Sequence, residues 1–345
     1  MKQRQERFPW WAYVAFAGAL VLTFLLCVSV GSVTKPLGET FTILWDTIFG
    51  IPIPDSITSP AIIASVRLPR VLCVALVGAS LSLCGAAMQG LLKNPLADGS
   101  TLGVSSGASL GAVIAIAFGV TLPSFPLAGT MVMAMLFAFL SLFIILTLAY
   151  KLDYSLSTNT IILIGVIYSM FVSSILSLII TFAADKVANI TFWTMGSLAG
   201  SSYLNALVLF VALLLCGTVI LCLSRELNAF AIGEENASHI GVNVKRVKLV
   251  ILIAVSALIG VCVSIGGTIG FVGLVVPHMV RMITGPNHKR LLPASLFGGA
   301  IFLMLADLVA RVLLNPKELP IGVVTSLVGA VLFVYIFYKT RSART

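Results

Sequence analysis

The sequence predicts an all-α polytopic membrane protein with ten transmembrane helices, and three observations carry that prediction. Of its 345 residues 59% are hydrophobic and only 10% charged, where soluble domains use about 25% charged residues. Mean hydropathy is +1.11, too apolar for a chain that must coat itself with polar surface, so lipid is the solvent. The apolar residues fall in ten runs, most of them about 20 residues or longer, which is the length that crosses a hydrocarbon core. Disordered, collagen-like and disulfide-scaffold classes are excluded by the same composition.

The runs lie at 10–32, 61–91, 101–119, 127–150, 158–183, 204–224, 246–268, 271–284, 292–313 and 321–340. The first follows Lys2, Arg4 and Arg7, resembling a signal peptide in outline. Its apolar stretch is too long for an h-region and no A-x-A site follows, so it reads as an uncleaved span. The second is overlong and the eighth short, which implies tilt, kinks or partial crossing there. A single transmembrane domain over 1–345 accommodates all ten, with an outer loop at 33–60, a second at 184–203 and a cytoplasmic segment at 225–244. In the first outer loop, the spacing of Phe41, Leu44, Trp45 and Ile48 predicts a short interfacial helix. A weak likeness between 71–91 and 249–269 is of the kind an inverted repeat produces.

Net charge is +9, from 21 Lys+Arg and 12 Asp+Glu. With both termini in the cytoplasm, only Lys35, Arg67, Arg70, Lys186, Arg311 and Lys317 fall outside, leaving fifteen of the 21 basic residues on the inner face. The positive-inside rule therefore sets the orientation, and the charge is a topology signal with no need of a nucleic-acid partner. The six cysteines all lie in apolar runs without metal-ligand spacing, and they read as small buried hydrophobes.

Several constellations admit two readings. The chain lacks a G-x-x-x-x-G-K-[ST] phosphate loop, so ATP-driven work of the P-loop kind needs a separate subunit. Gly103-Val104-Ser105-Ser106-Gly107 matches G-x-S-x-G, which with His278 outlines an intramembrane Ser–His protease. Glycines at 103, 107 and 111, every fourth residue, instead line one helix face for close packing, and that reading explains the whole stripe. His278, beside Pro277 in the eighth run, is a proton carrier or ligand on one reading; on the other, its ring caps carbonyls freed by the proline. Asp307 and Arg311 are four apart on one helix face, within pairing reach. Arg311, Arg67 and Arg70 stand at outer helix ends, where they either snorkel to headgroups or receive carboxylates from a partner. Between Arg225 and Val244, Gly233-Glu234-Glu235 and Gly241 mark a short helix, either a docking knob or a connector. One alternative class is an ion-coupled secondary transporter, for which Asp307 is the only acid deep in a span.

The motifs together resemble the FecCD permeases, membrane subunits of ABC importers for ferric siderophores, haem and cobalamin. The resemblance rests on Arg67-Leu68-Pro69-Arg70, Gly78-Ala79, Gly85, Gln89, Asn94-Pro95-Leu96-Ala97, Leu102-Gly103 and Ser106-Gly107-Ala108 in the first half. In the second half it rests on Gly196-Ser197-Leu198, Gly270-Phe271-Val272-Gly273-Leu274, Pro277-His278, Arg281, Ala306-Asp307, Arg311, Glu318-Leu319-Pro320 and Gly322. It implies the type II ABC importer permease fold in a bacterial cytoplasmic membrane, with a second permease subunit, identical or paralogous. It also implies two cytoplasmic ATPases that hold ATP and magnesium, an extracytoplasmic binding protein, and neither a catalytic residue nor a bound cofactor or metal on this chain. Leu227, Gly233, Glu234 and Gly241 match the ATPase-coupling segment. Asn94 and Leu96 match one inner gate loop, and Ser157 and Thr158 the other. Arg67, Arg70 and Arg311 match arginines that dock the binding protein, while Asp307, Pro277 and His278 take structural roles. A ferric siderophore is the expected cargo, with haem and cobalamin as alternatives. Lys93 stands where the family commonly has arginine, Gly99 and Ala330 where it has proline, which points to a more flexible loop at 93–99.

Overall fold

The computed structural model describes residues 10–31, 37–49, 62–121, 126–154 and 156–342. No strand occurs among them. The helices, in chain order, are α1 Trp10–Ser29, α2 Leu37–Phe49, α3 Leu68–Leu91, α4 Val104–Phe118, α5 Pro126–Leu152, α6 Thr158–Phe182 and α7 Val187–Thr194. They continue with α8 Tyr203–Cys222, α9 Ser224–Phe230, α10 Glu234–His239, α11 Val244–Gly266, α12 Val272–Thr284, α13 His288–Val312 and α14 Ile321–Ser342. A π-helical turn, Ile62–Arg67, leads into α3, and single 3₁₀ turns cover Gly99–Leu102 and Ala184–Lys186.

Every expected run is helical. Among the described residues seven helices, α3 counted with its π-turn, are long and apolar enough to cross a bilayer; α4, α12 and the apolar part of α14 are shorter apolar helices. Boundaries follow local chemistry. Pro69 sits in the first turn of α3, where its missing N–H costs nothing. The side chains of Ser157, Ser202, Asn243 and Asn287 accept from backbone N–H groups at the starts of α6, α8, α11 and α13, satisfying donors that a helix start leaves open. Gly119, at φ 66°, ends α4 in the left-handed conformation that glycine adopts without strain.

Burial ranks the spans, with α13 intermediate at 50%. The most apolar window of α3 is 78% buried and that of α11 72%, against 22% for α1, α5, α6 and α8. These two central helices are the ones that carry the 71–91 and 249–269 likeness. The packing around α3 is too close for side chains. A Cβ on Gly78 would collide with the carbonyl oxygen of Gly299 in α13, and one on Gly299 with that of Gly78. At Gly85 a Cβ would overlap the carbonyl of Gly273 in α12. The stripe on α4 is used the same way: Cβ atoms at Gly107 and Gly111 would strike Ser141 and the Met133 carbonyl of α5. Small residues that bring helix backbones together are the membrane equivalent of a packed core.

Three expectations need correction. The first outer loop does contain a helix, α2, with Phe41 and Trp45 stacked at 6.1 Å and exposed. However, the residues α2 buries are Thr40, Ile43 and Asp46, and the side chains of Leu44 and Ile48 lie outside the described residues. The cysteines are not uniformly buried, since Cys216 is half-buried and Cys222 exposed. The glycine stripe on α4 begins at Gly107, because Gly103 precedes the helix as its N-cap, at φ 74°.

Candidate functional site

At the end of the bundle where α1 terminates, three guanidinium groups meet. Arg67 donates from Nη1 to the carbonyls of Val28 (3.1 Å) and Ser29 (2.9 Å). Arg311 donates to Cys27 (3.0 Å) and Val30 (3.2 Å). These four carbonyls belong to the last turn of α1 and the residue after it, where a helix has no internal donors, and the two arginines supply them. Arg70 grips Asp307 Oδ1 through Nε (3.1 Å) and Nη2 (2.9 Å), and donates from Nη1 to Glu318 Oε2 at 2.7 Å. Arg311 Nε lies 2.9 Å from Asp307 Oδ2 in an ion pair whose angle is unsuited to a hydrogen bond. Asp307 therefore pairs with Arg311 as the four-residue spacing predicts, and with Arg70 as well. All three arginines are at most 8% exposed. A guanidinium at apolar depth needs acceptors, and here the chain supplies them, so the donors expected to meet a partner already have internal acceptors. The exposed carboxylate of the group is Glu318, with 39% of its side chain accessible.

The proline of α12 is served from another helix. Pro277 withdraws the donor that would reach the carbonyl four residues back, on Gly273. Gln89 of α3 donates to that carbonyl (3.3 Å) and to Leu274 (3.1 Å), and accepts from Arg281 Nη2 at 3.0 Å. His278 was expected to do this capping. It does not, because Gln89 occupies the position, and His278 Nδ1 is buried with no hydrogen-bond partner.

At the opposite end of the bundle, the 225–244 segment folds as two short helices, α9 and α10. Leu227 is fully buried, where α9 packs on α3 and α13. Gly233 and Gly241 adopt φ of 117° and 91° at either end of α10, which explains glycine at both. Asn228 of α9 accepts from the backbone N–H of His288 (2.8 Å), meets its Nδ1 at 3.0 Å and donates to Asn287 (2.9 Å), tying α9 to the start of α13.

Glu234 reaches back into the bundle. Its Oε2 accepts from Lys248 Nζ at 2.7 Å, and its Oε1 accepts from the Thr158 hydroxyl at 3.5 Å. Lys248 of α11 is completely buried and donates also to the carbonyl of Leu156 at 2.9 Å. One turn earlier, Lys245 Nζ sits over the rings of Tyr154 (2.9 Å) and Tyr150 (4.3 Å). Hydrogen bonding to Tyr150 and the neighbouring Lys245 ammonium lower the pKa of the Tyr154 phenol. The loop is braced internally by Asp153 Oδ2, which accepts from the N–H of Ser157 (3.0 Å) and the hydroxyl of Thr160 (3.1 Å). Glu234, Ser157 and Thr158 are thus brought into one network.

Asn94 and Leu96 stand on a different loop, after α3, where the Asn94 side chain accepts from the N–H of Leu96 at 2.9 Å. That loop leads into the 3₁₀ turn 99–102, which packs against α6 and α11. The two loops share a backbone feature. Among the described residues three non-glycines have positive φ, and two of them, Lys93 (49°) and Leu156 (53°), immediately precede Asn94 and Ser157. Conformations of this kind cost energy in a side-chain-bearing residue and concentrate at switch regions. Lys248 and Gln89 carry much of this geometry. In the sequence Lys248 is one of the fifteen inner-face charges, and its position between Val247 and Leu249, at the head of an apolar run, is the signal that sets it apart.

An apolar bundle whose central helices touch through glycine, with a polar helix pair folded against one end, is the architecture of a transport permease. It superposes with TM-score 0.83 and 34% identity, over 95% of this chain and 99% of the other, on a solved inward-facing structure described as a metal-chelate type ABC transporter. The FecCD transport family model matches residues 19–339, and the chain belongs to that family. It is 43% identical to the uncharacterized ABC transporter permease protein YvrB of Bacillus subtilis, over 98% of this chain and 96% of the relative. With the molybdate import system permease protein MolB of Haemophilus influenzae it shares 36% identity, over 93% and 94% of the two chains.

Proposed function

We propose that this chain is the ten-span permease subunit of an ATP-driven importer in a bacterial cytoplasmic membrane, with both termini inside. It works with a second permease subunit, two ATPase subunits that bind ATP and magnesium, and an extracytoplasmic binding protein. The observation that carries this reading is the end-to-end likeness to ABC permeases in a chain with no phosphate loop of its own. The α9–α10 segment, with Leu227, Gly233, Glu234 and Gly241, is the ATPase-facing element. The loops at Asn94 and Leu96 and at Ser157 and Thr158 are inner gates. The opposite rim, around Arg67, Arg70 and Arg311, receives the binding protein, whose carboxylates compete there with Glu318 for Arg70.

A ferric siderophore is the proposed cargo, supported by the metal-chelate type of the solved neighbour. Molybdate is the second reading, favoured by the similarity to MolB over nearly the whole chain. Proteoliposomes holding the assembled importer and its binding protein test both. The expected result is ATP-dependent accumulation of radio-iron presented as a siderophore complex and none of molybdate. Accumulation of molybdate alone would replace the first cargo by the second, and uptake that survives ATP depletion but collapses with the membrane potential would favour secondary transport.

A further inference from the structure

Lys248 is buried, charged and bonded to two elements that the proposed function separates. Its ammonium has one acceptor on α10, Glu234 Oε2 at 2.7 Å, and one on the 153–158 loop, the Leu156 carbonyl at 2.9 Å. The side chain is wholly inaccessible, whereas that of Glu234 is one-third exposed. A buried ammonium deprived of an acceptor is left with an uncompensated charge at low dielectric, so α10 and the loop are constrained to move together. The loop end of this link is also strained: Leu156 is fully buried at φ 53°, and its carbonyl is the atom Lys248 holds. Lys245, one turn earlier on α11, sits over Tyr154 of the same loop and over Tyr150 at the end of α5.

We propose that Lys248 is a positioning residue that transmits displacement of the α9–α10 segment to the 153–158 loop, holding Leu156 in its left-handed conformation until Glu234 is drawn away. This rests on the reading of α9–α10 as ATPase-facing and of the loop as a gate. No bond is made or broken in the step. Glu234 moves outward, the ammonium follows it, and the released Leu156 carbonyl lets the backbone relax to negative φ, shifting Ser157 and Thr158.

The test uses the full chain assembled with its ATPase subunits in proteoliposomes. Asn159→Cys, at an exposed position beside Thr158, is the reporter, with Cys216 and Cys222 replaced by alanine. The rate of labelling by a membrane-impermeant maleimide is measured with and without ATP and vanadate, alongside ATP hydrolysis and thermal stability. Trapping is expected to change the labelling rate by at least about fivefold, the low end of ordinary coupling between sites. In Lys248→Met the ATPase subunits remain bound and hydrolysing while the response falls below about twofold. Glu234→Gln keeps the Lys248–Leu156 bond on a partly exposed side chain, and its response is expected to be intermediate; it decides the matter if Lys248→Met does not fold. A purely structural salt bridge would instead lower thermal stability in both variants and leave the response of the folded protein intact, which would overturn the proposal. If the parent protein fails to bind ATPase subunits, or its labelling ignores nucleotide, the gate reading itself is wrong and the proposal falls with it.

Discussion

Asp307 illustrates how one side chain can set the geometry of several elements. Its two oxygens face Arg70 of α3 and Arg311 of its own helix, while Arg311 and Arg67 hold the last carbonyls of α1. Removing the carboxylate leaves two buried guanidinium groups short of counter-charge. Replacement of one member of a buried ionic group costs about 3–5 kcal/mol, so Asp307→Ala should lower the melting temperature of the detergent-solubilised protein markedly, with Asp307→Asn in between. Unchanged melting in Asp307→Ala would mean that Glu318 and the α1 carbonyls suffice for both arginines. The i,i+4 pair was legible in the sequence. Arg70 as a second partner was not, because its contact to Asp307 closes a separation of 237 residues. The same limit hid Gln89: a polar residue inside an apolar run marks a polar contact, but its partners, Gly273, Leu274 and Arg281, lie on a helix that spacing along α3 cannot reveal.

Among the elements, α3 is the pillar, and its glycines show why. At Gly85 a Cβ would lie inside the Gly273 carbonyl, a backbone atom that can retreat only if α12 moves as a whole. Overpacking of this type costs about 1–3 kcal/mol. Gly85→Ala should therefore reduce the folded fraction on fluorescence-detected size exclusion, whereas Gly18→Ala in α1, where nothing lies within 4 Å of the added carbon, should match the parent. Equal behaviour of the two would show that α3 and α12 are looser than this geometry implies. Hydropathy located the ten apolar helices, since each must present about 20 apolar residues or pack a shorter apolar face, but it did not find α7, or that the 225–244 segment is two helices. It could not rank them by depth, because in a bilayer both lipid-facing and buried faces are apolar. The spans of α1, α3 and α8 read alike, yet the buried share of their windows runs from 22% to 78%.

At the scale of the whole molecule, the charge distribution predicts an orientation and the two polar clusters mark the ends of the bundle. If the charge rule holds, α9–α10 faces the cytoplasm and the Arg70–Glu318 cluster the exterior. A cysteine at Ser238 of α10 should then react with impermeant maleimide only in inside-out vesicles, and one at Lys317 only in right-side-out vesicles. The opposite pattern would invert the topology and exchange the proposed docking and ATPase-facing ends. The two clusters have different constructions. At the arginine end the three guanidinium groups are buried, and donors and acceptors are shared among α1, the π-turn, α3, α13 and the segment leading to α14. The α9–α10 end joins one partly exposed carboxylate to one buried ammonium and a strained loop, a form suited to movement.

By itself, the sequence determined that this chain is a helical membrane protein, where its apolar helices lie, and which family it resembles. These properties depend on local composition, on the period of the apolar residues and on short motifs, all of which are read along the chain. Only the tertiary structure decided that the outer arginines are occupied by α1, Asp307 and Glu318, that Gln89 rather than His278 serves the proline of α12, and that Lys248 bridges α10 to Leu156. The reason is that a charge or a freed carbonyl at apolar depth must be satisfied by whatever the fold brings within about 3 Å, and that neighbour is set by packing across many residues of chain.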